Sequence, residues 1–250
     1  MDPAGKTALV TGGAHRVGKA ISLGLARAGA NIVINYHSSA TPAEETAAEI
    51  RAVGVEALPV QADIADPKQV EAMVAAAAER FGGVDILVNS ASLFKKTPIP
   101  TTNHDAWHLV TGIGIDGPYY CANAVAPFML AKGEGVIVNI IDLSAWEPWP
   151  QFTAHGVSKS ALLALTRQLA LELAPQVRVN AIAPGPVLPP PDYSAERIAR
   201  VAGMTLLKRW GTPEDIVEAV LYFVRANYVT GETIAVDGGE RFGHRLAEAG

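Results

Sequence analysis

The stretch Thr7-Ala-Leu-Val-Thr-Gly-Gly-Ala-His-Arg-Val-Gly-Lys-Ala-Ile21 decides the fold of this chain. An apolar run typical of a β-strand, Ala8 to Val10, leads into a turn at Gly12, and a helical pattern begins near Arg16. A helix N-terminus carries unpaired N–H groups and a partial positive charge, and glycine lets the backbone approach a phosphate closely. This order of strand, turn and helix predicts a dinucleotide-binding site.

The spacing in this stretch is T-G-x-x-x-R-x-G, with Arg16 where a middle glycine often stands. We expect Gly12, Arg16, Val17 and Gly18 to contact the cofactor. Taken alone, the pattern also fits a tight turn between strand and helix that binds no ligand. The rest of the chain has to decide between these two interpretations.

The composition suits one α/β domain spanning residues 1–250. The chain is 49% hydrophobic and 18% charged, so it can bury a full core. Its net charge of -5 offers no electrostatic basis for binding nucleic acid or an anionic membrane. We therefore expect a small-molecule substrate rather than either of those partners.

Cysteine usage and the N-terminal residues favour a cytoplasmic protein. Cys121 is the single cysteine, so no disulfide can form within the chain, and a reducing compartment is expected. We find no Cys/His spacing typical of zinc, no signal-peptide pattern and no apolar run long enough to span a bilayer.

Strand-like and helix-like stretches alternate to the end of the chain. Continuous apolar strands separated by helices predict a parallel sheet covered on both faces, and right-handed crossovers make it a doubly wound Rossmann sheet. The seven predicted strands are Ala8–Val10, Ile32–Ile34, Val55–Val60, Ile86–Val88, Val136–Ile141, Val177–Ala183 and Thr233–Val236.

Helix boundaries are predicted from capping patterns and breakers. Caps are expected at Thr41-Pro42-Ala43-Glu44, Asp66-Pro67 and Thr212-Pro213-Glu214-Asp215. Glycines at 112, 114 and 117 are expected to separate helical stretches at Asp105–Val110 and Tyr119–Ala131. A long helix is predicted over Phe152–Ala174, and a shorter one over Ala195–Gly203.

The end of the second strand favours NADP(H) over NAD(H). NAD-specific Rossmann folds place an acid there, whereas this chain reads Tyr36-His37-Ser38-Ser39. A 2′-phosphate would meet no repulsion and could be bound by Ser38, Ser39, His37 and Arg16. Alternatively, these are solvated loop residues and the protein is indifferent to the phosphate.

Short motifs along nearly the whole chain resemble the short-chain dehydrogenase/reductase family. They are Thr11-Gly12…Gly18, Asp63-Ile64, Asn89-Ser90-Ala91-Ser92, Val138-Asn139-Ile140, Ser158-Lys159, Val179-Asn180…Pro184-Gly185, and Thr230-Gly231 through Val236-Asp237-Gly238-Gly239. The resemblance implies a nicotinamide cofactor, hydride transfer and a homotetramer. The cofactor contacts it implies are Tyr36, Asp63, Ile64, Asn89, Ser90, Ala91, Lys159, Pro184 and Gly185, with Asn89 acting through its backbone. Asp63 would contact the adenine or, equally well, cap the strand end.

Within this family the chain is most similar to pteridine reductases. The similarity rests on Arg16 in the first motif, on Tyr36-His37, on Ser90-Ala91-Ser92-Leu93-Phe94, and on Asp142 in place of the usual catalytic serine. It implies that Phe94 stacks on a flat pterin, while Ser92 and Arg16 bond its polar edge and Asp142 serves a ring nitrogen. Phe94 could instead be only a hydrophobic wall.

The catalytic positions of the family are only partly preserved. Lys159 is present, but His155 stands four residues earlier where tyrosine is expected, and Gly114 occupies the asparagine position. In one interpretation His155 replaces tyrosine as proton donor beside Asp142. In the other, catalysis is impaired and the protein only binds NADP(H).

The C-terminal third adds two further expectations. A proline-rich segment at 184–211 is expected to cover the substrate, and its Tyr193 is either a substitute donor or an ordinary loop tyrosine. The tail at 240–250 could approach a neighbouring subunit's site. A carbonyl reductase or alcohol dehydrogenase acting on a ketone stays open as an alternative to a pterin or dihydrofolate reductase.

Overall fold

The computed structural model describes residues 1–246, which form one seven-stranded parallel sheet with helices on both faces. The spatial order is β3-β2-β1-β4-β5-β6-β7. The strands are β1 Thr7–Val10, β2 Asn31–Tyr36, β3 Ala57–Gln61, β4 Ile86–Asn89, β5 Gly135–Ile140, β6 Val177–Pro184 and β7 Thr233–Val236. The predicted doubly wound Rossmann sheet is therefore confirmed, and its ends differ from the predicted ones by a few residues.

Helices connect every pair of successive strands. They are α1 Arg16–Arg27, α2 Ala40–Val53, α3 Pro67–Phe81, α4 Asp105–Thr111, α5 Gly117–Lys132, α6 Thr153–Glu172, α7 Ala195–Met204 and α8 Pro213–Arg225. Short turns of other helix types lie at Gly112–Asp116, Leu143–Ala145 and Glu240–Leu246. None of the helices within residues 1–246 combines the length and the apolar character needed to cross a bilayer.

Two hydrophobic cores lie on opposite faces of the sheet. Strands β1, β4 and β5 are buried at every residue, and alternate side chains of a strand point to opposite faces. Val10 therefore packs with Ile21 of α1 and Phe223 of α8, while its neighbour Leu9 packs with Met73 of α3 and Met129 of α5. Burial on both faces explains why these strands read as continuous apolar runs.

The predicted capping box at Thr41 is wrong. Helix α2 begins at Ala40 with Ser39 as its N-cap residue, so Thr41 lies inside the helix. The Ser39 hydroxyl bonds the ring of His15 rather than the helix backbone. The other two caps are confirmed: Asp66 accepts the Lys68 N–H at 2.9 Å, and Thr212 forms a capping box with its helix α8.

The glycines between α4 and α5 do not break the helix as predicted. A π-helical turn, Gly112–Asp116, joins the two helices without a gap. A Cβ on Gly114 would lie 2.7 Å from the Ser158 side chain, and one on Gly117 would lie 2.6 Å from Ile64. These glycines therefore allow close packing against α6 and the β3–α3 loop rather than chain reversal.

The sheet order places a crevice at the carboxyl ends of β1 and β4. Strand order reverses between these two neighbours, since β2 and β3 lie on one side and β5 to β7 on the other. In open α/β sheets, ligands bind where the order reverses in this way. The candidate site is built from the loops that leave these strands.

Candidate active site

A cleft of about 510 Å³ lies over the carboxyl ends of β1 to β4. Almost all the predicted cofactor residues from the first half of the chain line it. They are Gly12, Arg16, Val17, Gly18, Tyr36, His37, Ser38, Ser39, Asp63, Ile64, Ser90 and Ala91. The structure therefore brings together residues that are separated by up to three crossovers in the sequence.

The turn before α1 fits the phosphates of a dinucleotide. Gly12 has a φ of +62°, and a Cβ there would lie 3.0 Å from the Cα of Ala91. A Cβ on Gly18 would lie 2.2 Å from the Gly12 carbonyl oxygen, so neither glycine tolerates a side chain. No side chain caps α1, and its first turn holds no acidic residue, which leaves the N-terminal N–H groups for an anion.

His15 is a residue of this cleft that the sequence analysis missed. Its Nε2 lies 2.5 Å from the Oγ of Ser39, so the glycine turn is tied to the end of β2. The exposed side chains of His37 and Ser38 follow β2 directly, and no acid of the described part of the chain lies beside them in the cleft. The position of His15, beside Arg16 at the start of a phosphate-binding helix, was the signal available in the sequence.

Asp63 and Asn89 have structural partners. Asp63 lines the cleft, but its carboxylate also accepts the Ala65 N–H at 2.9 Å, so it caps the end of β3 as well. Asn89 is buried and donates from Nδ2 to the Oδ1 of Asn139 at 2.9 Å. Its side chain holds β4 to β5, which is compatible with a cofactor contact through the backbone alone.

Asp142 and His155 form a close pair at the end of β5. Asp142 follows the strand, and His155 stands on the first turn of α6, where its Nε2 lies 2.6 Å from Oδ2 of Asp142. The other oxygen, Oδ1, accepts the Ser144 N–H at 2.9 Å and the Ser144 hydroxyl. The side chain of Asp142 is 18% exposed, whereas that of His155 is 4% exposed.

Lys159 completes the group one helical turn after His155. Its Nζ donates to the Ile140 carbonyl at 2.9 Å, and the residue is buried. Burial lowers the pKa of Lys159, while the charge of Asp142 opposes that shift. For Asp142, burial raises the pKa, but the hydrogen bond from His155 and the charge of Lys159 outweigh it, so the pKa lies below its ordinary value. Asp142 is therefore a carboxylate at neutral pH.

Aromatic rings enclose the imidazole of His155. The Phe94 ring meets it edge to face at a centroid distance of 4.9 Å, and the Trp149 ring lies nearly parallel to it at 5.9 Å. Phe94 in turn stacks on Phe152 at 4.1 Å. Phe94 is nevertheless 59% exposed, so a large part of its side chain is accessible for contact with a flat group.

A second cleft of about 430 Å³ continues from the cofactor cleft. Nearly all the predicted substrate residues line it together with the last cofactor residues: Arg16, Ser92, Phe94, Asp142, Lys159, Pro184, Gly185 and Tyr193. His155 is not among its lining residues, because Asp142 and the aromatic rings stand in front of it. Trp149 lines the cleft and Trp146 does not.

The segment at 184–211 is joined to the cofactor turn by Arg16. The Arg16 guanidinium donates from Nη2 to the Leu188 carbonyl at 3.0 Å, so this side chain reaches the loop rather than Ser38 or Ser39. Tyr193 lines the cleft, but its hydroxyl accepts a hydrogen bond from Arg197 at 3.0 Å, and the same guanidinium lies 3.7 Å above its ring. The hydroxyl of Tyr193, the alternative proton donor predicted from the sequence, is therefore bonded to Arg197.

Two further predictions concern metals and the tail. Among the side chains of residues 1–243, no three from His, Cys, Asp or Glu are arranged as metal ligands. The beginning of the tail at 240–250 forms the short helical turn Glu240–Leu246, and residues 247–250 lie outside the described part of the chain. The hypothesis that the tail approaches a neighbouring subunit therefore stays a prediction.

Comparison with known proteins agrees with this geometry. A family model described as enoyl-(acyl carrier protein) reductase matches residues 12–240. 3beta-hydroxysteroid dehydrogenase 1 of Eggerthella lenta is 37% identical over 95% of this chain and 94% of its own length. A 3-oxoacyl-(acyl-carrier-protein) reductase of Synechocystis sp. is 33% identical over 94% of this chain and 96% of its own.

A solved structure resembles both the fold and the sequence. FolM alternative dihydrofolate reductase 1 from Brucella canis, complexed with NADP, superposes with a TM-score of 0.89 at 36% identity, covering 97% of this chain and 96% of that one. The chain belongs to the short-chain dehydrogenase/reductase family of oxidoreductases. Its relatives differ in the substrates that their names state, so the family leaves the substrate of this chain open.

Proposed function

We propose that this protein is an NADPH-dependent reductase of a pterin, a dihydrofolate or a related cyclic C=N compound. The observation that carries the proposal is the carboxylate of Asp142 in the cleft, bonded to His155 and facing the same space as the exposed ring of Phe94. The structural similarity to the Brucella dihydrofolate reductase supports the same substrate class.

The cofactor is NADP(H). The turn at Gly12 and the N-terminus of α1 would hold its phosphates, and His15, His37, Ser38 and Ser39, which line the cleft at the end of β2, would hold its 2′-phosphate. Among the described residues no acid stands at the end of β2, and this favours the phosphorylated cofactor. When bound, NADPH supplies the hydride.

Asp142 favours a ring nitrogen over a ketone oxygen as the group that takes up the proton. A carboxylate accepts hydrogen bonds, so it stabilises the N–H of a protonated C=N group, but it repels the negative charge that develops on a carbonyl oxygen. The short-chain family usually has a serine hydroxyl at this position, and a hydroxyl can donate to such an oxygen. The replacement therefore changes the preferred substrate chemistry.

The proton passes from His155 through Asp142. His155 is too deeply buried to meet the substrate, whereas Asp142 lines the cleft and contacts the ring Nε2 at 2.6 Å. The Asp142 carboxylate takes a proton from Nε2 of His155, whose ring must carry a proton on each nitrogen for this step, and passes that proton to the substrate nitrogen, so Asp142 is a carboxylate again after the transfer. The ring is left neutral and takes a proton back from water before the next turnover. The buried Lys159 keeps positive charge near the pair, which holds Asp142 ionised between turnovers.

A carbonyl reductase remains the second candidate, because the Eggerthella and Synechocystis relatives are named as a hydroxysteroid dehydrogenase and an oxoacyl reductase. A protein that binds NADP(H) without turnover is the third, since the usual tyrosine is replaced. A homotetramer and a cytoplasmic location stay predictions.

The test is NADPH oxidation with dihydrobiopterin and dihydrofolate against a panel of small ketones. We expect turnover with the pterins and little with ketones. Asp142→Ser, which restores the usual residue of the family, should lower kcat/KM for pterins by about 100-fold. Preferential turnover of ketones would support the carbonyl reductase instead, and tight NADPH binding without any turnover would support the third candidate.

A further inference from the structure

A cavity lies next to the cleft that Asp142 and Phe94 line, and it takes no part in the chemistry proposed above. It has a volume of about 660 Å³, compared with about 430 Å³ for the cleft. Its walls come from the segment between β4 and α4, from the start of α4 and from the start of α6, and they include Lys95, Lys96, Ile99, Trp107 and Thr153.

Thr97 holds one wall of the cavity against the segment that contains Phe152. Thr97 is buried, donates its N–H to the Gln151 carbonyl at 2.7 Å and accepts the Ala154 N–H on Oγ1 at 2.9 Å. These bonds fix the segment after Phe94 against the residues on both sides of Phe152. Phe94, which stacks on Phe152, lines the cleft, and the next residue in the chain, Lys95, lines the cavity, so the two spaces lie on either side of one peptide bond.

The lining of the cavity suits an amphipathic anion. Ile99 is 78% exposed and Trp107 is 37% exposed, so both present apolar surface without covering protein atoms. Lys95 and Lys96 are exposed, and neither makes a hydrogen bond or ion pair with a side chain of residues 1–243. Among the residues that the structure describes, Asp105 is the only acid that lines the cavity. Two adjacent cationic groups beside an apolar floor match a ligand with an aromatic body and carboxylates.

We propose that this cavity binds the tail of an extended, carboxylate-bearing substrate whose ring is reduced in the cleft. The inference rests on the proposed function and narrows the range of substrates that it allows. It favours dihydrofolate, whose p-aminobenzoylglutamate tail carries an aromatic ring and two carboxylates, over dihydrobiopterin, whose side chain is short and uncharged. Lys95 and Lys96 are specificity-determining residues, and neither touches the reacting atoms.

The first test compares the two substrates in the variant Lys95→Ala/Lys96→Ala. We expect KM for dihydrofolate to rise about fivefold with kcat unchanged, because two exposed ion pairs each contribute modestly to binding. Both constants for dihydrobiopterin should stay at their wild-type values. Raising the salt concentration should increase the wild-type KM for dihydrofolate and have little effect on the variant.

The control variant Lys68→Ala/Arg225→Ala removes the same charge from two exposed positions away from the cavity. It should behave as the wild type with both substrates. The cavity does not bind the tail if the two double variants give the same KM for dihydrofolate. The same conclusion follows if the lysine variant raises the KM for both substrates by the same factor.

A binding measurement separates this inference from the proposed function. Calorimetric titration with p-aminobenzoylglutamate alone should detect binding to the wild-type protein and loss of it in the lysine variant. If the protein binds this fragment but reduces no pterin, the anion site is supported and the proposed reaction is rejected. Pterin turnover without any binding of the fragment by the wild type would retain the reaction and reject the anion site.

Discussion

The imidazole of His155 lies behind the carboxylate of Asp142, with Nε2 at 2.6 Å from Oδ2. The carboxylate, rather than the ring, borders the cleft. A histidine placed in this way cannot simply replace a tyrosine that reaches the substrate. It can instead pass a proton to a carboxylate that does reach the substrate.

Removing the imidazole should impair turnover more than it impairs binding. We expect His155→Ala to lower kcat for a dihydropterin by about 100-fold, because a positioned acid–base group contributes at least that much, while the Kd of NADPH stays unchanged. Ser144→Ala is the matched control, since it removes another hydrogen-bond donor to Asp142 without removing an acid, and it should lower kcat less than tenfold. Wild-type turnover in His155→Ala would show that the imidazole supplies no proton.

The low pKa of Asp142 links this carboxyl to stability at acid pH. A carboxyl whose pKa is lower in the folded state than in the unfolded state stabilises the fold above its unfolded pKa, and this contribution is lost as the pH falls through the folded-state pKa. The difference in unfolding free energy between wild type and Asp142→Asn should thus be constant above about pH 5 and shrink below about pH 4. Urea titrations across this range measure it. An equal difference at both ends of the range would contradict the assignment.

His15 should contribute to the choice of cofactor. Since its ring bonds Ser39 at the end of β2, we expect His15→Ala to raise the Kd of NADPH about tenfold and to leave that of NADH nearly unchanged. Fluorescence titration with both cofactors measures the ratio. His108→Ala removes an exposed histidine from α4 and serves as control. An equal rise in the Kd of both cofactors would mean that His15 only supports the conformation of the glycine turn.

Gly114 should not tolerate the asparagine that the family usually has at this position. A Cβ there would lie 2.7 Å from Ser158, so Gly114→Asn should destabilise the protein by about 1–3 kcal/mol. Gly203→Ala is the control, because a Cβ at that helical position meets nothing within 4 Å, and it should be neutral or stabilise by up to about 1 kcal/mol. Urea unfolding midpoints compare the two. A stable Gly114→Asn variant would mean that α6 can move away from α4.

Cys121 should be inert to thiol reagents in the folded protein. It is fully buried in α5, and burial raises the pKa of its thiol to about 12. We expect no reaction with a disulfide reagent at pH 8 under native conditions and one reacted thiol per chain in urea. Rapid native labelling would show that α5 opens locally.

Much of the architecture could be predicted because it depends on local signals. The apolar run before Gly12, the glycine spacing after it and the caps at Asp66 and Thr212 each record a preference that holds within a few residues. The wrong predictions arose where a distant residue intervened. Helix α2 begins at Ala40, after Ser39, whose hydroxyl bonds His15, so Thr41 is not its N-cap residue. Gly114 does not end a helix, because its missing side chain leaves space for Ser158.

The sequence by itself determined the doubly wound sheet, the family and the residues that meet at the carboxyl ends of the strands. Strand periodicity and glycine positions depend on backbone geometry, which each segment encodes locally. Only the tertiary structure decided that Asp142 stands in front of His155, that Arg16 reaches Leu188, and that Lys95 and Lys96 border a separate cavity. These relationships depend on how segments that are far apart in the chain pack against one another, and no single segment encodes that packing.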